Sequence, residues 1–319
     1  MDISIIVPYY NAIKYFHNLF DSILNQTFKN FELIVVNDGS TDGSLEMLNK
    51  LKNKYPFMKV INKQNGGSAS ARNIGIAEAN GKYICMLDSD DIVESTYLEL
   101  MYSNIIKYDA DIAYCNFSYI KSYNCKQCCN EKYDVIEKSN VDLFNEYCEK
   151  KTNIRTVVLW NKLFKKSIFD NLNFVEGKGI DDQYLILQLL YRAKKIIHID
   201  QVLYHYYIAN SSSQMNQQYS FKKLDFIDAI ERNIIFLKSL NNKKIRYEKL
   251  YYGYFSSIVI NYYYLKKNYE RIEIIEHLNY LKKRKKKIYL AFFSRQVSLL
   301  DKAILLCKCL VPNFFVNSI

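Results

Sequence analysis

Three carboxylates stand within four residues at Asp88-Ser89-Asp90-Asp91, directly after the apolar β-type run Tyr83-Ile84-Cys85-Met86-Leu87. A buried strand does not keep unpaired Asp in its interior, because desolvating a carboxylate is costly. The acids therefore mark where this strand leaves its sheet, the edge at which open α/β sheets bind ligands. Asp88 and Asp90 lie two residues apart and face one side if the chain stays extended. Two hard oxygen ligands with open positions suit Mg2+ or Mn2+ bridging to phosphate oxygens. A solvated acidic turn has the same D-x-D spelling, so the rest of the chain must decide. A second acidic pair, Asp181-Asp182, follows the loop Glu176-Gly-Lys-Gly-Ile180 and opens a helical stretch over 183–193. A carboxylate there can take a proton from an attacking hydroxyl, or simply complement the positive end of the helix.

The elements that must position these acids alternate in type. Residues 3–7, 31–36, 59–62 and 82–87 are apolar β-type runs. Between them, 14–29 carries Phe16, Leu19, Phe20, Ile23 and Leu24 at helical spacing, the stretch from Ser44 to Leu51 is amphipathic, and a small-residue loop at 65–71 runs into a third helix. That alternation predicts a parallel α/β sheet with right-handed crossovers. Pro8 lacks a donor and is expected to end the first strand. Further strands are expected at 110–118, 195–199 and 202–207, and further helices at 95–107 and 140–150.

Three of the first four strands end in residues able to grip one ligand. Tyr9 and Tyr10 offer an aromatic face for a base, and Asp38 an acceptor for a base imide N–H. The Gly66-Gly67 loop permits close backbone approach, and Arg72 supplies charge for a phosphate. Taken singly these are ordinary core, turn and surface residues; recurring at successive strand ends, they compose a nucleotide–metal site.

The chain has 319 residues, 49% of them apolar, enough for one large domain with an appendage or for two domains. It contains eight Cys, and Met1-Asp2 leads straight into a strand without a basic region and apolar core. A reducing, cytoplasmic setting with free thiols is expected. Cys125, Cys128 and Cys129 sit in a polar insertion at 121–140; they read as surface thiols, or as half of a zinc site lacking a second pair. The net charge of +11 is uneven: residues 1–215 hold 24 Lys and Arg against 25 Asp and Glu, whereas 216–319 hold 20 against 8. The expected division is therefore 1–215 and a helical, basic 216–319 whose partner is negatively charged. Lys282-Lys-Arg-Lys-Lys-Lys287 lies beside aromatic, amphipathic stretches, and no window holds eighteen uncharged apolar residues. An anionic membrane surface on the inner face of the cell membrane suits this pattern; a solvated charge run beside a helix hairpin is the plain alternative. The near-neutral front and the lack of a nucleic-acid module argue against nucleic acid.

Four segments, Ser4-Ile-Ile-Val-Pro-Tyr-Tyr-Asn11, Asn37-Asp-Gly-Ser-Thr-Asp42, Ala71-Arg-Asn-Ile-Gly75 and Leu87-Asp-Ser-Asp-Asp91, resemble glycosyltransferase family two in order and spacing. The resemblance covers roughly 1–215. It implies a GT-A fold, a Rossmann-like, mostly parallel sheet flanked by helices. It also implies a metal-dependent, inverting transfer from a nucleotide-sugar, a UDP-sugar by preference, to a saccharide or lipid-linked acceptor in surface polysaccharide synthesis. By resemblance Pro8, Tyr10, Asp38, Arg72, Asp88 and Ser89 line the nucleotide-sugar, and Asp90 with Asp88 binds Mn2+ or Mg2+. Asp91 is expected to orient the metal's surroundings or to cap the helix after it. Asp182 is expected as the base, with Asp181 standing where Glu is usual, so the assignment stays open by one residue. Trp160-Asn-Lys162 fits an acceptor-side element, Trp160 being either a sugar platform or a core aromatic. The family's Arg after the last aromatic run is replaced by Tyr207 or Ile208, and His205 is a candidate near the metal or simply structural. These departures leave room for a GT-A-like nucleotide-binding protein without transferase activity.

Overall fold

The computed structural model describes residues 1–123, 132–149, 153–210, 220–310 and 312. Cys125, Cys128 and Cys129 lie outside the described residues. Two compact units emerge, Met1–Leu143 with Ile154–Gln217, and Phe144–Asn153 with Gln218–Ile319.

In the first unit the strands β1 (Ile3–Tyr9), β2 (Phe31–Asp38), β3 (Met58–Lys63) and β4 (Tyr83–Met86) alternate with helices α1 (Phe16–Leu24), α2 (Ser44–Lys54) and α3 (Ser68–Glu78). They pair in parallel in the order β3-β2-β1-β4. β1 and β2 are mostly apolar and almost wholly buried, as strands covered on both faces must be, and buried Ser4 of β1 donates to Glu32 of β2. β1 does not stop at Pro8. Pro8 pairs with Val36, but β4 accompanies β1 only over Ile3–Ile6, so one flank carries no ladder there and the missing donor costs no bond.

The chain continues through β5 (Ile92–Val93), α4 (Tyr97–Lys107), β6 (Ile112–Ile120), β7 (Val135–Lys138), α5 (Asn140–Cys148), α6 (Asn153–Val157), β8 (Lys162–Lys165), α7 (Asp181–Arg192) and β9 (Ile196–Tyr207). The full sheet runs β3-β2-β1-β4-β8-β6-β9-β5, with β7 on β9. β8 is antiparallel to both neighbours and joins the parallel half to the rest. The two β-type runs at 195–199 and 202–207 are one strand, irregular against β6 where Cys115 pairs with Ile199 and Asn116 with Val202. α3 lies close to β1: a Cβ on Gly75 would stand 2.3 Å from Ile6 Cγ2, so any larger residue would lift the helix. This close seat carries Arg72 inward.

The second unit is helical: α8 (Asp225–Ser239), α9 (Leu250–Asn268), α10 (Arg271–Lys285), α11 (Tyr289–Phe293) and α12 (Leu299–Leu310). α8, α10, α11 and α12 all pack on α9, whose Phe255, Ile258, Val259 and Leu265 are buried. No helix among the described residues is long and apolar enough to cross a membrane.

Candidate active site

β1, β2 and β4 deliver their C-terminal ends to one edge. At the end of β1 the two tyrosines part. Tyr9 is buried, in hydrogen-bond contact with Ser44 Oγ at 2.9 Å, while Tyr10 is 52% exposed. At the end of β2, Asp38 is buried and shapes the loop between β3 and α3. It accepts the Gly66 N–H at 2.9 Å, the Gly67 N–H at 2.7 Å and the Lys63 ammonium at 2.5 Å. A carboxylate has about four acceptor positions, so one stays open.

Arg72 is the hub. Its Nη1 donates to Asp181 Oδ2 at 2.5 Å and to Asp182 Oδ1 at 3.2 Å, and its Nη2 to Asp88 Oδ1 at 3.1 Å. Its guanidinium carbon stands 5.8 Å from the Phe174 ring centroid, and its buried Nε has no hydrogen-bond partner among the described residues. Burial alone would lower its pKa, but the three carboxylates it contacts hold it above the usual arginine value. Neighbouring Asn73 fixes the loop that brings the second acidic pair here. It donates to Phe174 O and Glu176 Oε1, both at 3.1 Å, and accepts the Phe174 N–H at 2.8 Å.

The acids differ in their freedom. Asp181 is 7% exposed and taken by Arg72; Asp182 is 19% exposed at the first turn of α7. Burial raises the Asp182 carboxyl to about 7, against the lowering pull of Arg72. Burial likewise raises Asp88 to about 6. Asp90 is held by the Asn210 amide at 2.7 Å, while its carbonyl accepts the Tyr123 hydroxyl at 2.8 Å. Burial raises its pKa too.

Asp91 neither caps α4 nor faces the edge. It is fully buried, accepting a short hydrogen bond from the Tyr204 hydroxyl and the Tyr207 N–H at 2.7 Å. The same Tyr204 oxygen accepts the Asp88 N–H at 3.4 Å, so Asp91 anchors β9 beneath the acidic turn. His205 is also committed. Its Nδ1 contacts Ser118 Oγ and its Nε2 contacts Glu94 Oε1, both at 2.7 Å. With both ring nitrogens engaged it has none left for a metal. Trp160 and Lys162 are likewise core residues. Trp160 stacks on Tyr204 at 4.2 Å and Tyr206 at 5.6 Å. Lys162 donates to the carbonyls of Arg155 and Val158 and to Asn161 Oδ1. Neither presents itself to an acceptor. Ser89 is half-buried between the two outward acids.

Sequence reasoning missed Asn210, Tyr123, Tyr204 and Asn73. Asn210 begins the polar run Asn210-Ser-Ser-Ser213 shortly after the last β-type run, a signal available in the sequence; the tyrosines are lost among twenty-nine.

A metal fits this donor set in one form. Among the described residues no group of three or more His, Cys, Asp or Glu could cage an ion. Asp88 and Asp90 each retain a carboxylate oxygen that no side chain among the described residues engages. Two carboxylates completed by phosphate oxygens and water are what Mg2+ or Mn2+ accepts.

The Glycosyl transferase family 2 profile matches residues 4–172. "Glycosyltransferase GlyA" of Streptococcus pneumoniae is 32% identical over 244 residues, covering 75% of this chain and 35% of that protein. The chain thus spans about a third of GlyA. "Glycosyltransferase GlyG" of the same organism is 34% identical over 210 residues, covering 64% of this chain and 70% of the relative. Among solved structures, S. aureus TarS 1-349 in complex with UDP-GlcNAc superposes with a TM-score of 0.66 at 19% identity, covering 100% of this chain and 88% of that one. With the strand ends, the acidic turn and the family profile in agreement, the chain belongs to glycosyl transferase family 2.

Proposed function

We propose that the chain moves a sugar from a UDP-sugar to a hydroxyl of a saccharide or lipid-linked acceptor, with inversion, in surface polysaccharide synthesis. The observation that carries this reading is the Arg72 bridge. One guanidinium ties the acidic turn of β4 to the acidic pair of α7, so a donor-side carboxylate and a candidate base share one charge network.

Exposed Tyr10 would stack on the uracil, and the open acceptor position of Asp38 would take its imide N–H. TarS, of the same fold, is described with UDP-GlcNAc, which supports a UDP-linked donor here. Pro8 and Ser89 would border the nucleotide-sugar. Asp88 and Asp90 would hold a divalent cation, whose contribution when bound is to neutralise charge on the leaving diphosphate.

The acceptor oxygen forms its bond to the anomeric carbon while the bond from that carbon to the phosphate oxygen breaks. The electron pair leaves with UDP, and the hydroxyl proton passes to Asp182. A carboxyl held near 7 by burial is matched to that role at neutral pH, whereas Asp181 is spent on Arg72. Asp181 acts by holding Arg72 in place. The acceptor is met at the anionic inner face of the cell membrane, which the charge of residues 216–319 favours.

Isothermal titration with a panel of nucleoside diphosphates, with and without Mn2+, tests the reading. Metal-dependent UDP binding that disappears in Asp90→Ala is expected. Preference for GDP would overturn the base assignment, and no nucleotide binding would overturn the donor site.

A further inference from the structure

α12 is an amphipathic helix turned outside in. Leu299, Ala303, Leu306 and Leu310 recur at helical spacing and are exposed, Leu299 at 84% and Leu310 at 71%. The charged residues of the same helix turn toward protein: Asp301, Lys302 and Lys308 are half-buried, and Lys308 Nζ donates to Ser256 Oγ on α9 at 2.6 Å. A helix at a water-facing surface does the opposite. Contiguous exposed apolar surface marks a docking face.

Cations border this face. Lys282, Lys283, Lys286 and Lys287 are exposed, and none has an acid partner among the described residues. Arg284 of the same run is spent on Glu231 at 2.7 Å and Lys285 lies over Tyr263 at 4.7 Å. Burial raises the Cys309 thiol pKa, and Lys285 is near enough to pull it down, which sets the end of α10 near the end of α12. From the run the chain enters α11, where Phe293 is 83% exposed, and then Leu299.

We infer that α10, α11 and α12 form a docking face for an anionic lipid bilayer, with Phe293 and the α12 stripe entering the headgroup layer and the free lysines meeting lipid phosphates. The choice of partner rests on charge. A second copy would bring the same excess of cations to the contact, which repels; an anionic membrane answers both the apolar stripe and the charge. The inference deepens the reading of where the acceptor is met, and names the surface that would meet it.

Sedimentation of the full chain with vesicles tests this. Vesicles half phosphatidylglycerol should carry the protein down, with binding that weakens as salt rises; pure phosphatidylcholine vesicles should not. Each of Lys286→Gln and Lys287→Gln should lower partitioning about fivefold. Phe293→Ser and Leu299→Ser, both at exposed positions, should each lower it by on the order of tenfold. Melting curves check that the variants fold, and their UDP titration should match the parent. Absence of vesicle binding, or equal binding to neutral vesicles, overturns the proposal. Lipid-free self-association abolished by Leu306→Ser also overturns it, in favour of a second copy. Protein that sediments with anionic vesicles yet binds no nucleotide leaves this face standing and removes the donor reading instead.

Discussion

The two acidic clusters look alike on paper and are divided alike in space. In each, neighbouring aspartates take opposite assignments. Asp91 is sealed under Tyr204 and Tyr207, while Asp88 and Asp90 each keep an oxygen that no described side chain engages. Asp181 is clamped by Arg72, while Asp182 is the more open of its pair. The clusters differ in what holds the inner acid. Asp91 is neutral-partnered, by a phenol and a backbone amide; Asp181 is ion-paired. One acid in each cluster stabilises the scaffold so that its neighbour can be presented, and adjacency in sequence does not say which is which.

The division is broken most severely at the outward acids. Asp182→Asn should lower transfer by roughly 10^2–10^4-fold with UDP binding intact, since it removes the proton acceptor while the amide oxygen can still accept from Arg72. Asp90→Ala should lower transfer as far and should also abolish Mn2+-dependent UDP binding in calorimetry. If both variants lose nucleotide binding, the split between base and donor site fails. The inner acids should register as stability instead. Arg72→Met leaves Asp88, Asp181 and Asp182 without their shared cation and should cost about 3–5 kcal/mol in denaturant unfolding. Asp91→Asn retains an acceptor for the Tyr207 N–H and should cost about 1–3 kcal/mol. Near-parent stability for Asp91→Asn would remove its scaffold role.

The smallest effect sharpens the contrast through pH. Burial lifts the Asp182 carboxyl to about 7, above the unfolded value of about 4. The folded state therefore binds an extra proton between those values, and stability from this group is full at low pH and lost as pH rises from about 4 through 7. Transfer should run the other way, rising with pH through about 7 as the base ionises. Asp182→Asn should flatten this contribution to the melting temperature.

The strand ends were readable because apolar runs broken by Asp, Gly and Arg have a local cause: the chain leaves a buried sheet there. Asp88, Asp90, Asp38, Tyr10 and Arg72 all come to that edge. What was not readable depends on distance along the chain. Arg72 meets Asp181 across a separation of 109 residues, and Tyr204 meets Asp91 across 113. Trp160, Lys162 and His205 have residue types that suit a ligand. Their actual partners, Tyr204, the carbonyls of Arg155 and Val158, and Glu94, are set by how β8 and β9 enter the sheet. Pro8 misled for a related reason, since the early end of β4 decides whether its missing donor matters.

β8 has a consequence for how the protein is made. The strands from β1 to β4 are joined by short crossovers and can assemble as soon as residue 86 has left the ribosome. The strand that pairs with the outer edge of β4 is Lys162–Lys165, which appears only much later. At about 5–20 residues per second, that edge stays open for several seconds of synthesis. An open edge of an apolar, parallel sheet is a template for another nascent chain. The pace of translation between residues 87 and 165, and any chaperone that covers the edge meanwhile, would set how much of this chain reaches its folded form.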